Sequence, residues 1–399
     1  MSCSPRASGS GAAGDPPLGT VPFLDKGEPK EETWVRSNYP AETYPIVTTK
    51  ASRGRPSRLS IYQAVDDGIA ELRRIGGLPG PEAAADIWRD IWFEETHNST
   101  AIEGNTLILK EVRTLLAEGR AVGDKELKEY LEVKGYADAA DWVYSQADSD
   151  EAERDEPYLL LSEVREIHRR VVAAAWEVAP PIDFLPGEGP GSFRLHDILP
   201  FPGGMIPTPF TDIHPQVTDW LRVANAEPAA DLHVMEHLAR AHAAFERIHP
   251  FRDGNGRTGR LILNLVLVRR GYAPAIIYKR DRPRYLDALD RTDRGEYGPL
   301  AELLARAVKD SLDRFLLPAL AGPLQVLPLS ALVRRDLTPL ALRRAAEKGR
   351  LKAVRRSGGW YSTKQWVDTY ARSRRRRSPV RPELPALGQD RQPIPGDDA

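Results

Sequence analysis

Apolar residues recur at helical spacing along most of this chain. Ile61, Val65, Ile69, Leu72 and Ile75 mark one face of a helix, and residues 81–119 carry two more. Another helix begins in LSEVREIHRRVV, residues 161–172, with His168 expected on its polar, solvent-facing side. Leu232, Met235, Ala239, His242, Phe245 and Ile248 form the stripe of an amphipathic helix, whereas LILNLVLV, residues 261–268, is apolar almost all round and suits a core helix. The rhythm breaks at residues 186–210, where glycine and proline exclude a helix and predict a loop with a short hairpin turning at Gly203 and Gly204. After the proline-bounded linker LAGPLQVLP, residues up to 377 read as helix, tight break, helix, hairpin, helix. Thr338 and Pro339 open a short helix ending at Gly349, and Thr363 caps the last one. The expected fold is mostly α.

Composition divides this pattern into regions. Residues 1–33 are rich in small residues and proline and read as a disordered lead; residues 378–399 read as a disordered tail. Between them lie a helical region at 34–148, an acidic linker at 149–157 that opens a core unit at 149–320, and a small basic unit at 321–377. Net charge is −1, yet residues 334–377 hold fifteen Lys or Arg against Asp336, Glu347 and Asp368, a surplus of twelve, leaving −13 for the rest. One cysteine, Cys3, excludes an internal disulfide framework. No apolar run suggests a signal peptide or a membrane span, so a soluble cytoplasmic protein is expected.

The chemistry is concentrated in HPFRDGNGRTGR, residues 249–260, between the amphipathic helix and the buried one. Gly254 and Gly256 permit a turn and close ligand approach, and N–H groups at a helix start favour anions. Asn255 can donate its amide, and Arg257 and Arg260 can fork onto phosphate oxygens. Asp253 offers a hard oxygen for Mg²⁺, and His249 is the candidate general base. GNGRTG also spells the dinucleotide fingerprint G-x-G-x-x-G, but a helix rather than a strand precedes it. His233, His237 and His242 lack the spacing and further ligands of a zinc site, and packed histidines are expected instead. Upstream, STAIEGNTL places Ser99 and Glu103 four apart on one helix face, with Gly104 as the helix end and Asn105 or Thr106 capping the next helix.

The twelve-residue stretch resembles the motif of the Fic family, H-x-F-x-[DE]-G-N-G-R-x-x-R, at every fixed position from His249 to Arg260. The resemblance runs over roughly residues 94–313. It implies a Fic-type helical core with a hairpin flap and transfer of AMP from ATP, with Mg²⁺, to a Ser, Thr or Tyr hydroxyl of a target protein. It also implies a nucleotide site made of Asp253, Gly254, Asn255, Gly256, Arg257, Thr258, Gly259 and Arg260, with Gly204 and Met205 from the flap. Matching the order of pieces adds Tyr285 as a wall for adenine. STAIEG is similar to the family's inhibitory motif [ST]-x-x-x-E-[GN], which implies that Ser99, Glu103 and Gly104 deny Arg260 to the γ-phosphate. The basic unit is similar to excisionase-type winged helix-turn-helix modules, which implies DNA contacts by Arg343, Arg344, Arg355 and Arg356. A homodimer is a further expectation. Two alternatives stay open: a DNA-binding regulator that uses the site as a nucleotide sensor, and an enzyme that mainly removes AMP.

Overall fold

The computed structural model describes residues 56–146, 156–199, 205–320, 322, 325–356 and 359–377. The expected lead, the tail and the turn at Gly203 and Gly204 lie outside the described residues. So do parts of the acidic linker.

Thirteen α-helices are found among the described residues. The first four are α1 (Arg58–Arg74), α2 (Ala85–Ile102), α3 (Leu109–Glu118) and α4 (Leu127–Tyr144). They are followed by α5 (Leu161–Val178), α6 (Ile213–Asn225), α7 (Val234–Ile248) and α8 (Asn255–Arg269). Next come α9 (Arg282–Thr292), α10 (Gly298–Ser311) and the short α11 (Leu317–Leu320). The basic unit adds β1 (Val326–Pro328), α12 (Pro339–Glu347), β2 (Val354–Arg356), β3 (Gly359–Thr363) and α13 (Lys364–Arg377).

The centre of the molecule is α8, whose apolar run is enclosed on every side: Leu261, Leu265 and Val268 are fully buried. α4 and α5 cross closely over it, because Gly135 has no side chain at the crossing; a Cβ there would stand 2.7 Å from the Val171 carbonyl oxygen. α1 packs on α10 and α2 on α4, so the N-terminal helices share one hydrophobic core with α5 to α10. The stripe on α7 is buried as the spacing predicts, His242 included.

Three local expectations need correction. α3 begins at Leu109 rather than at Thr106: the Glu111 carboxylate reaches back to the Ile108 N–H, while Thr106 and Asn105 are bonded to Glu129 on α4. The linker before the basic unit contains β1, which pairs antiparallel with β3 to give a three-stranded sheet of order β1-β3-β2. Around the expected flap, the described residues 195–199 and 205–209 carry no strand. The β2–β3 hairpin and the caps at Thr338 and Thr363 are as read from sequence.

Candidate functional site

The site lies where α7 ends and α8 begins. His249 closes α7 in the left-handed region at φ 48°, and it is the only non-glycine residue with positive φ among those described. Such a conformation costs about 1–3 kcal/mol and persists where the surroundings over-determine it. Here they do. Its Nδ1 stands 3.1 Å from the Glu246 carbonyl oxygen. An Nδ1–H donating there leaves Nε2 as the basic nitrogen. Burial, together with Arg194, holds the His249 pKa down at about 4 against the opposing pull of Glu103 and Asp253. The imidazole is therefore neutral, and able to take a proton, across the neutral range.

The turn into α8 needs its glycines. Gly254 is the N-cap at φ 76°, and a Cβ there would meet Val172 at 2.5 Å. The first N–H groups of a helix have no intrahelical acceptor and carry its positive dipole end. Asn255, Gly256 and Arg257 present this end to a cleft of about 530 Å³, whose walls include Asp253, His249, Arg252 and Glu132. The Asp253 side chain is half-exposed there and accepts the Gly254 N–H at 2.6 Å.

The Asn255 side chain does not do what the sequence suggested. Its amide donates to the Phe251 carbonyl and accepts the Phe251 N–H, at 2.8 and 2.9 Å, so it braces the loop instead of facing a ligand. His168 is the second correction. It is fully buried, stacked flat on Phe251 with ring centroids 3.7 Å apart. Nε2 reaches the Asp253 carbonyl oxygen at 2.9 Å and Nδ1 accepts the Gly191 N–H at 2.8 Å. Burial lowers its pKa to about 4. It fastens the motif loop to the Gly/Pro loop.

The buried Arg260 side chain runs back along α8, its Nη1 3.2 Å from where a Cβ on Gly256 would stand. Its Nε donates to Ser99 Oγ at 2.7 Å, and its Nη2 donates to the Ser99 carbonyl and to Glu103 Oε1 at 3.0 and 2.8 Å. Burial pushes the Glu103 carboxyl up, but Arg260, helped by Arg257, outweighs it and holds the pKa below the ordinary value. Gly104, at φ 104°, ends α2 just beyond. The Glu103 carboxylate overlies the first turn of α8: a Cβ on Gly256 would lie 2.5 Å from its oxygen. Arg257 has Glu132 at 3.6 Å and Asp253 at 3.5 Å.

A second cleft of about 670 Å³ opens on the other side of His249. Ile102, Met205, Leu286 and Leu289 supply apolar wall, and Arg260, Asp290 and Asp293 supply charge. Glu103, His249 and Gly256 line both clefts. Tyr285 borders this space but is buried, its hydroxyl 2.8 Å from His242 Nε2; the next residue, Leu286, is the exposed one. Thr258 and Gly259 are buried inside α8, and Gly204 lies outside the described residues.

Sequence reasoning missed two groups. Glu246 is a buried carboxyl whose pKa burial raises to about 7, one helical turn before the base and lining the second cleft. Arg194 lies within the Gly/Pro loop, yet it is fully buried against the His249 backbone. Neither departs from its helix or loop pattern, so only the three-dimensional arrangement reveals them. His233 and His237 are packing residues: His233 caps α7 and stacks on Tyr62, and His237 is buried.

In the basic unit, Arg343 and Arg344 are exposed on α12, with Arg343 bonded to Glu347 at 2.8 Å. Arg355 is half-buried, which suits phosphate contact less well than the sequence suggested; the Arg356 side chain lies outside the described residues.

Residues 158–267 match the Fic/DOC family. Protein adenylyltransferase Fic of Drosophila mojavensis is 32% identical over 228 residues, covering 57% of this chain and 42% of that protein. The protein of the same name from Drosophila persimilis is 30% identical over 276 residues, 69% of this chain and 48% of that one. The chain thus spans less than half the length of these curated relatives. Among solved structures, residues 134–508 of Fic-1 from C. elegans give a TM-score of 0.53 at 26% identity, covering 65% of this chain and 72% of that one.

Proposed function

Because this chain carries a Fic domain at residues 158–267, we propose that it transfers AMP from ATP to a hydroxyl group of a protein. One observation carries the reading: a neutral histidine with one nitrogen engaged stands on the wall shared by two clefts, beside a helix N-terminus built for phosphate. The triphosphate lies on the start of α8, and the nucleoside occupies the second cleft between Met205 and Leu286. The first cleft admits the target's Ser, Thr or Tyr side chain. His249 Nε2 removes the hydroxyl proton as the oxygen attacks the α-phosphorus, and pyrophosphate leaves.

Asp253 fits a role at Mg²⁺. This ion binds through one or two carboxylates plus phosphate oxygens rather than in an all-protein cage, and one half-exposed carboxylate at the phosphate end matches that demand. Bound there, the ion would neutralise phosphate charge. Arg260 is the partner for the terminal phosphate, and Glu103 restrains the enzyme by holding it. Intact-mass analysis of the Glu103→Gly protein after incubation with Mg·ATP tests the reading. We expect an added AMP on a hydroxyl residue, and an unmodified folded protein in the presence of candidate targets speaks against it.

For the basic unit, DNA is the proposed partner. The support is α12 with exposed Arg343 and Arg344, followed by the β2–β3 hairpin and the basic α13, on a body of opposite charge. A cytoplasmic site of action fits the single cysteine. No described helix is long and apolar enough to cross a membrane.

A further inference from the structure

The guanidinium of Arg194 has no accessible side-chain surface, and the nearest carboxylate, on Asp197, is 3.5 Å away and largely exposed. A buried cation in such a place needs strong acceptors, and it finds three backbone carbonyls from three separate segments. Nε donates to the His249 carbonyl at 3.0 Å, Nη1 to the His196 carbonyl at 2.9 Å, and Nη2 to the Thr208 carbonyl. The first belongs to the base itself, at the C-terminal end of α7, where the helix dipole favours a cation. The other two belong to opposite limbs of the Gly/Pro loop. One limb carries Ile198 and Leu199 to the first cleft; the other carries Met205 to the second. Backbone bonds strengthen the same junction: the Arg194 N–H donates to the Pro250 carbonyl, and the Thr208 N–H to that of Arg247.

We infer that Arg194 is a positioning residue that locks both limbs of this loop to the backbone of His249, so that the walls of the two clefts and the base keep one relative geometry. Five donors in a planar fork let a guanidinium span three carbonyls at once; an ammonium group cannot reproduce that reach. The three bonds of the Arg194 guanidinium go to the His249, His196 and Thr208 carbonyls and none to the start of α8, Asp253 or Arg260, so its loss should lower transfer by much more than it weakens nucleotide binding. A misplacement of about 1 Å at a reacting group costs on the order of 10²-fold.

The inference rests on the AMP-transfer reading, and the test separates the two. The parent is Glu103→Gly, and the variants are Arg194→Ala and Arg194→Lys in that background. Label transfer from α-labelled ATP gives kcat and KM, calorimetry gives the Mg·ATP Kd, and circular dichroism gives the folded fraction. We expect kcat lowered about 10-fold or more per folded molecule in both variants, with a much smaller rise in Kd. Guanidinium ion at non-denaturing concentration should restore part of the activity of Arg194→Ala. Parental kcat per folded molecule in either variant overturns the inference, as does a loss of activity that only follows a loss of folded protein. Should Arg194→Ala fail to fold, Arg194→Lys decides by the same readouts. A parent that transfers no label speaks against AMP transfer itself.

Discussion

Replacing Glu103 by glycine should raise the proposed AMP transfer, and the structure sets the scale. The Arg260–Glu103 contact is a charge-assisted hydrogen bond of 2.8 Å on a buried guanidinium, a type worth about 1.5–3 kcal/mol. The carboxylate side is 40% exposed, and water screens it, which lowers the figure to about 1–2 kcal/mol. At about 1.4 kcal/mol per factor of ten, release of this contact corresponds to a roughly 5- to 30-fold gain at subsaturating Mg·ATP. Arg260 stays oriented after the change, because Ser99 Oγ and the Ser99 carbonyl still accept from it. Glu103→Gln should fall between wild type and Glu103→Gly, since it keeps bulk over Gly256 and loses the ion pair. Adding Arg260→Ala should abolish the gain. The assay is self-labelling with α-labelled ATP over a range of nucleotide concentration. Labelling by folded Glu103→Gly no faster than wild type refutes the restraint and leaves residues 99–104 a plain helix end.

Other consequences follow from the same geometry. The acid limb of kcat/KM against pH for Glu103→Gly should lie near pH 4 or lower, because burial lowers the His249 pKa and loss of Glu103 removes one group that raises it. A limb near the ordinary value of ~6.5 contradicts this assignment. Gly135→Ala should destabilise the fold by about 1–3 kcal/mol or more, since the new methyl meets backbone carbonyls at 2.7 and 2.9 Å that cannot step aside. Denaturant titration measures it, and an unchanged midpoint tells against the close α4–α5 crossing. In the full-length protein, affinity for duplex DNA should fall steeply with salt and weaken in Arg343→Ala/Arg344→Ala; no gel shift at low salt leaves the basic unit to a protein partner.

The elements most legible in the sequence were those fixed by local physics. Helical stripes such as that of α7, the glycine ends at Gly104 and Gly349, and the Thr338 and Thr363 caps each rest on interactions within a few residues. The pairing of Glu103 with Arg260 joins residues 157 positions apart and was accessible only through family resemblance, yet the structure brings them together. Where reasoning failed, a partner that the local pattern does not reveal had claimed the side chain. His168 is a polar residue among arginines, but Phe251, Asp253 and Gly191 enclose it. The Asn255 amide was expected to meet a ligand, but the Phe251 backbone four residues earlier claims it. Tyr285 was named as the aromatic wall by matching the order of pieces, which does not fix the phase of α9; His242 holds it inward, and the exposed Leu286 beside it also lines the cleft. β1 was hidden because three residues ending in a proline give no alternation to read, and β3 supplies its pairing.

The central claim is that His249 drives transfer of the α-phosphoryl group with its nucleoside. The most direct measurement compares α-labelled with γ-labelled ATP in the Glu103→Gly protein, with and without His249→Ala. The account predicts protein-bound label from the α-labelled nucleotide alone, and its loss by ~10²–10⁴-fold in His249→Ala while Mg·ATP still binds. Protein-bound label from the γ-position, or undiminished α-label in His249→Ala, would contradict it.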